Sequence, residues 1–517
     1  MRLFRARDIA RVALRWRAMK PLHGAPALSV VLALSAASLA ACFACKPDRA
    51  SSVPPSAARP SASPPPALAP ESPRASGPVY VPELLAEGLA APEGYALLTE
   101  LCTRAPHRLA GSEGAARAVE WGREAMQRLG FENVRLEPVL VPHWERGALE
   151  ELVVVEPAAH AGERLAILAL GGSIATPAGG LEAEVLAVSS FEELHARAAE
   201  ARGKLVLFRR PMDPNVPEPF EAYGAAVNQR GSGAIEASRA GAVAALVRSM
   251  TTALDDAPHT GQMRYAEGVA PVPAAAVSTL ATERIEGWLE AGESVRLRLA
   301  LDCRWLEDVL SHNVVGEVVG RERPAEIVLL GAHLDAWDIG AGAHDDGAGC
   351  AHVLEAGHLL VASKLGRPRR TVRCVLYMNE ENGLRGGQAY RDQHASELEH
   401  HVLAIESDRG GGLPLGYATD AAGRPAELLA ELWGGAPCAH GGGADISPLA
   451  EFGVTLAGFY PNPQRYFDFH HSQNDVLAAV HPRELELGAI SLASLAWLAA
   501  NHPGDWPRNQ ARGASGH

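Results

Sequence analysis

At 517 residues, 47% of them apolar and 21% charged, the chain exceeds what one hydrophobic core supports, so two globular units with tails are expected. Its formal charge of −14 at pH 7 becomes more negative once a basic N-terminal stretch is set aside, which excludes a nucleic-acid-binding protein. An aromatic content of 5% likewise gives no base-stacking platform.

Residues 1–41 read as an export leader of lipoprotein type: a basic stretch, then an apolar run ending Leu39-Ala40-Ala41-Cys42. That ending resembles the bacterial lipobox, so Cys42 is the expected acylated first residue and membrane anchor. A plain secretory signal or an uncleaved anchor helix fits the same stretch, and Met19 is an alternative start. Residues 42–80, rich in Pro and Ser, bury too little to fold and read as a tether. Folded structure is expected over 81–148, with helices at 91–102 and 114–129 and a strand at 134–141. Over 149–303, short β-type runs alternate with Gly and Pro turns, with one short helix at 234–240, as in an inserted β-rich unit. Strands and helices alternate again over 304–501, which indicates an α/β sandwich, and 502–517 read as tail. The seven cysteines show no framework spacing, and most read as small buried apolar residues.

The chemistry gathers in the C-terminal half. His333 and Asp335 follow the apolar run 327–330, Asp345 comes twelve residues after His333, Glu380-Glu381 follow the run 375–378, and Asp408 follows the run 402–405. His470-His471 and Asp475 complete the series. Short apolar runs bounded by glycine and polar turns read as buried parallel strands, and ligands of such sheets bind beyond the carboxyl ends of the strands. Residues far apart in sequence are thus expected to converge on one sheet edge. Two imidazoles and three carboxylates, with a spare glutamate, are what a two-metal hydrolytic site needs. Asp345 would bridge the ions, His333 and Asp408 completing one site and Glu381 and His471 the other. Asp335 is expected to orient the His333 ring. Glu380, facing away from Glu381 on an extended segment, is free to take a proton from a metal-bound water. His470, Asp346 and Asp475 are expected behind the ligands, with Asp346 alternatively capping the helix that starts at Gly347.

These motifs resemble the dizinc aminopeptidase superfamily, and in particular its carboxypeptidase Q (plasma glutamate carboxypeptidase) branch. Gly331-Ala332-His333-Leu334-Asp335-Ala336-Trp337-Asp338, Asp345-Asp346-Gly347, Glu406-Ser407-Asp408 and Phe469-His470-His471-Ser472 carry the likeness, which runs from about Gly94 to Ala499. Within the insert, Gly203-Lys204-Leu205-Val206, Gly233-Ala234-Ile235-Glu236-Ala237 and Pro258-His259-Thr260-Gly261 resemble that family's protease-associated domain. The resemblance implies a mixed-sheet α/β/α sandwich and hydrolysis of dipeptides or short peptides with free termini. It also implies two zinc ions, replaceable by cobalt or manganese, and a homodimer. Asn379 and Asn382 stand where Ala and Gln are expected, and Ala444-Asp445-Ile446 where more distant relatives have Ser-Asp-His, so Asp445 is a further candidate near the substrate. Rival readings are a dizinc amidohydrolase of N-acyl amino acids, a non-catalytic receptor on the same scaffold, and a cyclase. The amidohydrolases carry their extra domain after the Glu-Glu pair, receptors lose ligands or the Glu380 equivalent, and a cyclase lacks the insert.

Overall fold

Two mixed sheets organise residues 77–509, the part of the chain that the computed structural model describes, all of it within one unit, Pro70–His517. The expected leader, Cys42 and nearly all of the tether lie outside the described residues, as do residues 510–517. No helix among the described residues is long and apolar enough to cross a membrane.

The first sheet has seven strands in the spatial order Glu132–Glu145, Arg304–Val318, Arg370–Tyr377, Arg323–His333, His401–Glu406, Thr455–Pro461, Pro414–Ala418. Its four central strands, from Arg370–Tyr377 to Thr455–Pro461, run parallel, and the flanking strands are antiparallel. Every residue of Arg370–Tyr377 and of His401–Glu406 is buried, because helices cover both faces. Side chains alternate between the faces accordingly. Val314, Leu330, Cys374 and Leu403 pack into one core, while Val315, Leu329, Val375 and Ala404 pack into the other. The larger core takes helices Gly94–Arg104, Glu113–Arg128, Ala348–Ala362 and Pro482–Asn501, and the smaller takes Arg385–Gln393. Ser112 starts Glu113–Arg128 by accepting a hydrogen bond from the Ala115 N–H at 3.1 Å.

The region 150–301 forms a second sheet of eight strands, also parallel at its centre: Leu181–Val188, Leu205–Phe208, Ala244–Arg248 and Ala274–Val277. It is richer in helix than its sequence indicates. Five helices occur, among them Asn228–Arg239, which begins six residues before the expected 234. Gly231 and Gly233 weaken helix propensity there, but a Cβ at Gly233 would meet the Phe208 ring at 3.0 Å. Close packing on the strand decides against local preference.

Residues 502–509, expected as tail, are docked. Trp506 is buried in the larger core, Arg370 donates to the carbonyl of Gly504 at 2.7 Å, and Arg508 donates to that of His401 at 2.6 Å. Cys102, Cys303, Cys350 and Cys374 are buried free thiols.

Candidate metal centre

Register brings the reactive residues level. His333 ends its strand opposite Tyr377, and Gly331 pairs with Glu406, so the segments carrying His333, Glu380-Glu381 and Asp408 leave the sheet side by side. Asp345 comes from the turn Ala343–Gly347 ahead of helix Ala348–Ala362, and His471 follows the short helix Tyr466–Phe469. The two oxygens of Asp345 face different partners. Oδ1 lies 3.2 Å from His333 Nε2, and Oδ2 lies 3.2 Å from His471 Nε2. Asp408 Oδ1 stands 3.3 Å from His333 Nε2, and Glu381 Oε2 stands 3.0 Å from His471 Nε2. Two triads able to hold a metal ion share Asp345: His333–Asp345–Asp408 and Asp345–His470–His471. His470 thus comes nearer than a merely supporting residue, its Nε2 being 3.8 Å from Asp345 Oδ2 and its ring stacked on His471 at 3.5 Å.

Supporting hydrogen bonds fix this arrangement. The His333 ring N–H at Nδ1 donates to the Asp335 backbone carbonyl at 3.0 Å, which turns Nε2 toward the carboxylates. Asp335 thus orients the ring as expected, through its backbone carbonyl, while its carboxylate accepts the backbone N–H groups of Asn379 (2.7 Å) and Glu380 (3.0 Å) and so positions the glutamate pair. A carbonyl two residues on is nearer the ring than the carboxylate is, and the carboxylate points across to the next strand's loop. Asp475 accepts from three successive amides, those of Ala343, His344 and Asp345. Asp346 does both things expected of it, accepting from the His333 N–H at 3.1 Å and from the Gly349 N–H in the first helical turn at 3.0 Å. Asp445 is buried, and neither of its carboxylate oxygens has a hydrogen-bond partner among the described residues.

Glu380 and Glu381 lie in a turn rather than on an extended strand, so alternation does not separate them, and both line the same cavity of about 310 Å³. Asn379 enters that turn with φ of 75°, and His471 has φ of 59°. Left-handed backbone is uncommon outside glycine, Asn and His being among the residues that adopt it most readily, and such conformations concentrate at functional sites. The Asn379 amide also donates to the Asn382 side chain, so the two unexpected asparagines brace one another across the turn.

The electrostatics call for cations. Burial opposes charge on His333, but Asp408 and Asp345 outweigh it and hold the ring's pKa well above its usual value. Burial also raises Asp345, yet His333 and His471 keep it well below the carboxylate range. Desolvation and the Asp345 charge push Glu381 up to about 7. Desolvation pushes Glu380 well above its usual value; His333 pulls the other way, and Asp408, Glu381 and Asp445 add to the rise. Asp445 is raised likewise, first by desolvation and then by Glu406. So many buried acids cannot all ionise beside two imidazoles unless positive charge joins them. Asp345 Oδ2 and Glu381 Oε1 are buried without a hydrogen-bond partner, as ligand atoms would be. The donor set, oxygen and imidazole nitrogen, suits zinc.

Some contributing residues stand in motifs of the sequence but were not read as part of the site. His259 Nδ1 lies 2.6 Å from the His470 carbonyl, and the Thr260 N–H donates to the His471 carbonyl at 2.9 Å, so the 150–301 region grips the histidine pair from outside the sheet. Trp337 lies in that region's core, and Asp338 forms a two-pronged ion pair with Arg146 at 2.6 and 2.9 Å.

Imidazoles and carboxylates converging beyond the parallel strands of a mixed sheet define a metal-dependent α/β hydrolase. Comparison with known proteins narrows this. The profile of Peptidase family M28 matches residues 313–490. Carboxypeptidase Q of Mus musculus is 36% identical over 410 residues, 78% of this chain and 84% of that protein. The Homo sapiens protein is 35% identical over 430 residues, 82% and 88% of the two chains. The crystal structure of a Peptidase M28 precursor from Shewanella amazonensis superposes with a TM-score of 0.78 at 36% identity, covering 83% of this chain and 98% of that one. A zinc aminopeptidase from Bacillus subtilis shares the fold, with a TM-score of 0.57 at 19% identity over 81% and 97% of the two chains. The chain belongs to Peptidase family M28, in its carboxypeptidase Q group, and is a metallopeptidase.

Proposed function

We propose that this zinc-dependent exopeptidase works with two ions that share Asp345, His333 and Asp408 completing one site and Glu381 and His471 the other, with Glu380 as the proton carrier. The observation that carries the reading is the carboxylate of Asp345, whose two oxygens each face a different imidazole at 3.2 Å. When bound, the ions acidify water and polarise the scissile carbonyl. Cobalt or manganese is expected to substitute, since the oxygen and nitrogen ligands suit either. Glu380 is held by the bond from its amide to Asp335 and is free to accept a proton on its carboxylate and return it to the leaving amine. The substrates are proposed to be dipeptides or short peptides with free termini; the cavity of about 310 Å³ and the carboxypeptidase Q relatives support this.

Glu380→Gln keeps the size of the side chain but cannot accept the proton. It is expected to retain metal and fold while kcat falls roughly 10²- to 10⁴-fold. Near-normal turnover, or metal loss measured by elemental analysis, would overturn the assignment.

The 149–303 region is proposed to be a protease-associated domain, on the motifs Gly203–Val206, Gly233–Ala237 and Pro258–Gly261, and the protein to act as a homodimer. Export with a lipid anchor at Cys42 is proposed from the Leu39-Ala40-Ala41-Cys42 ending. Cys42→Ser should move the protein from the membrane fraction to the soluble one; unchanged membrane association would favour an anchor helix.

A further inference from the structure

Leu384 has a place in the cavity wall that the proposed chemistry leaves unexplained. It stands three residues after Glu381 and lines the same cavity as Glu380, Glu381, Asp408 and His471. Its backbone is left-handed, with φ of 62° and ψ of 20°, at the residue preceding helix Arg385–Gln393. A leucine has no polar side chain to support that conformation, which its Cβ disfavours. Glycine adopts it freely, yet Gly383 sits one position earlier. The Leu384 N–H donates to the Asn379 carbonyl at 2.5 Å, so closure of the glutamate turn holds the leucine in place.

Packing does not account for an apolar side chain at this position. Leu384 is half-buried, and none of the hydrophobic cores of the described residues contains it or has it packed against it. The aromatic lining of the cavity differs in this respect. Phe220 and Tyr223, on helix Pro219–Ala226 of the second region, and Tyr466 and Phe467, ahead of His470, all belong to or pack against one core. Phe220 stacks on Tyr466 at 5.4 Å and Tyr223 on Phe467 at 4.8 Å, which makes them a braced wall. Leu384 adds an apolar group to that cavity from the peptidase sheet. A leucine held in a disfavoured conformation beside buried carboxylates gains its missing contacts when an apolar group enters the cavity.

We propose that Leu384 is a specificity-determining residue: together with the aromatic wall it selects peptides that carry a bulky apolar side chain on a residue flanking the scissile bond. This selection rests on the peptidase reading above. At about 310 Å³ the cavity is small for a ligand site, so a few wall contacts decide the fit of one side chain. Leucine, methionine and phenylalanine are the expected occupants, and glycine leaves the wall uncovered.

The test uses the full chain, zinc-loaded and carrying Glu380→Gln so that bound peptide is not consumed. Calorimetry compares leucyl-alanine with glycyl-alanine, and alanyl-leucine with alanyl-glycine. In one of the two pairs the leucine peptide is expected to bind roughly 10- to 10²-fold more tightly, the range for one apolar side chain entering a hydrophobic pocket. Adding Leu384→Gly should cut that ratio about tenfold with metal content kept. The melting temperature should change little, since relief of the left-handed backbone offsets the freedom that glycine gives the unfolded chain. Leu384→Asn, which tolerates the same backbone but presents an amide, is expected to lose the ratio as well. Equal affinity within both pairs overturns the proposal without any variant at position 384. So does a preference that survives both variants, or an equal fall for leucine and glycine peptides, or a loss of metal, either of which would make Leu384 a support for the glutamate turn. Hydrolysis by the unmodified chain is read separately: leucine preference without turnover sinks the peptidase reading and leaves the role of Leu384 standing, and turnover without preference does the reverse.

Discussion

The two sheets are built alike and used differently. Each has a parallel centre with buried strands and helices packed against it. In the second sheet the residues after the strands are spent on structure: Ser190 caps helix Phe191–Ala196, and Ser278 caps Thr279–Glu290. In the first sheet the corresponding places hold His333, Glu380, Glu381 and Asp408. Buried acids accumulate there at a cost that only bound cations offset. The same layered architecture thus serves as a reaction site in one case and as its wall in the other. Fold sets where a site can be; side chains decide whether there is one.

Removing the shared acid should abolish that difference most completely. Asp345→Ala is expected to lose both ions together and to bring peptidase activity to background, whereas loss of a single terminal ligand such as Asp408 should mainly weaken one ion. Elemental analysis of the purified variants decides it, and retention of one ion by Asp345→Ala would argue against sharing. Next comes the seam between the sheets. Trp337 belongs to the segment after His333 but lies in the other sheet's core, 2% exposed, where a Cβ on Gly171 would overlap its ring. Trp337→Ala is expected to cost about 3–5 kcal/mol in urea unfolding, and a cost below about 1 kcal/mol would mean that the two cores are not coupled there.

The smallest effect separates acids that belong to the site from one that is merely buried. Desolvation, then the charges of Glu486 and Glu93, push Glu355 in helix Ala348–Ala362 up to about 9. Below the usual glutamate pKa near 4.5, folded and unfolded chains both carry the proton and nothing is lost. Between there and about 9 the unfolded chain gives the proton up while the folded chain keeps it, so stability declines as pH rises. Glu355→Gln should remove that decline, raising Tm by roughly 2–8 °C at pH 8 and leaving it unchanged at pH 4. A rise of the same size at both pH values would show that ionisation is not the cause.

His333, Asp345, Glu381 and Asp408 were legible because each stands just beyond an apolar run or inside a glycine-bounded turn, and His471 because it belongs to the Phe469-His470-His471-Ser472 motif; all of these patterns survive in the linear chain. His333, Asp345, Glu381, Asp408 and His471 all meet in one cluster. Asp335 orients the His333 ring as its spacing indicates, but spacing does not tell whether a carbonyl or a carboxylate reaches the ring, so the carboxylate's hold on the Asn379 and Glu380 amides was not legible. The helix at 228–239 was seen only in part, since its glycines report on the neighbouring Phe208 and not on local preference. His259 and Thr260 fall in a motif of the inserted region, but nothing in the linear chain ties them to the histidine pair. They lie in another sheet, and their relation to His471 exists only after both sheets have folded.

The grip of His259 and Thr260 on the backbone of His470 and His471 has a consequence for anyone who would treat the insert as a cassette. A graft that replaced it with a relative's equivalent would have to bring a matching pair of donors to those two carbonyls. Without them the transplanted module would leave the peptidase half with its histidine loop unmoored, so specificity and integrity of the centre are inherited together and cannot be exchanged one at a time.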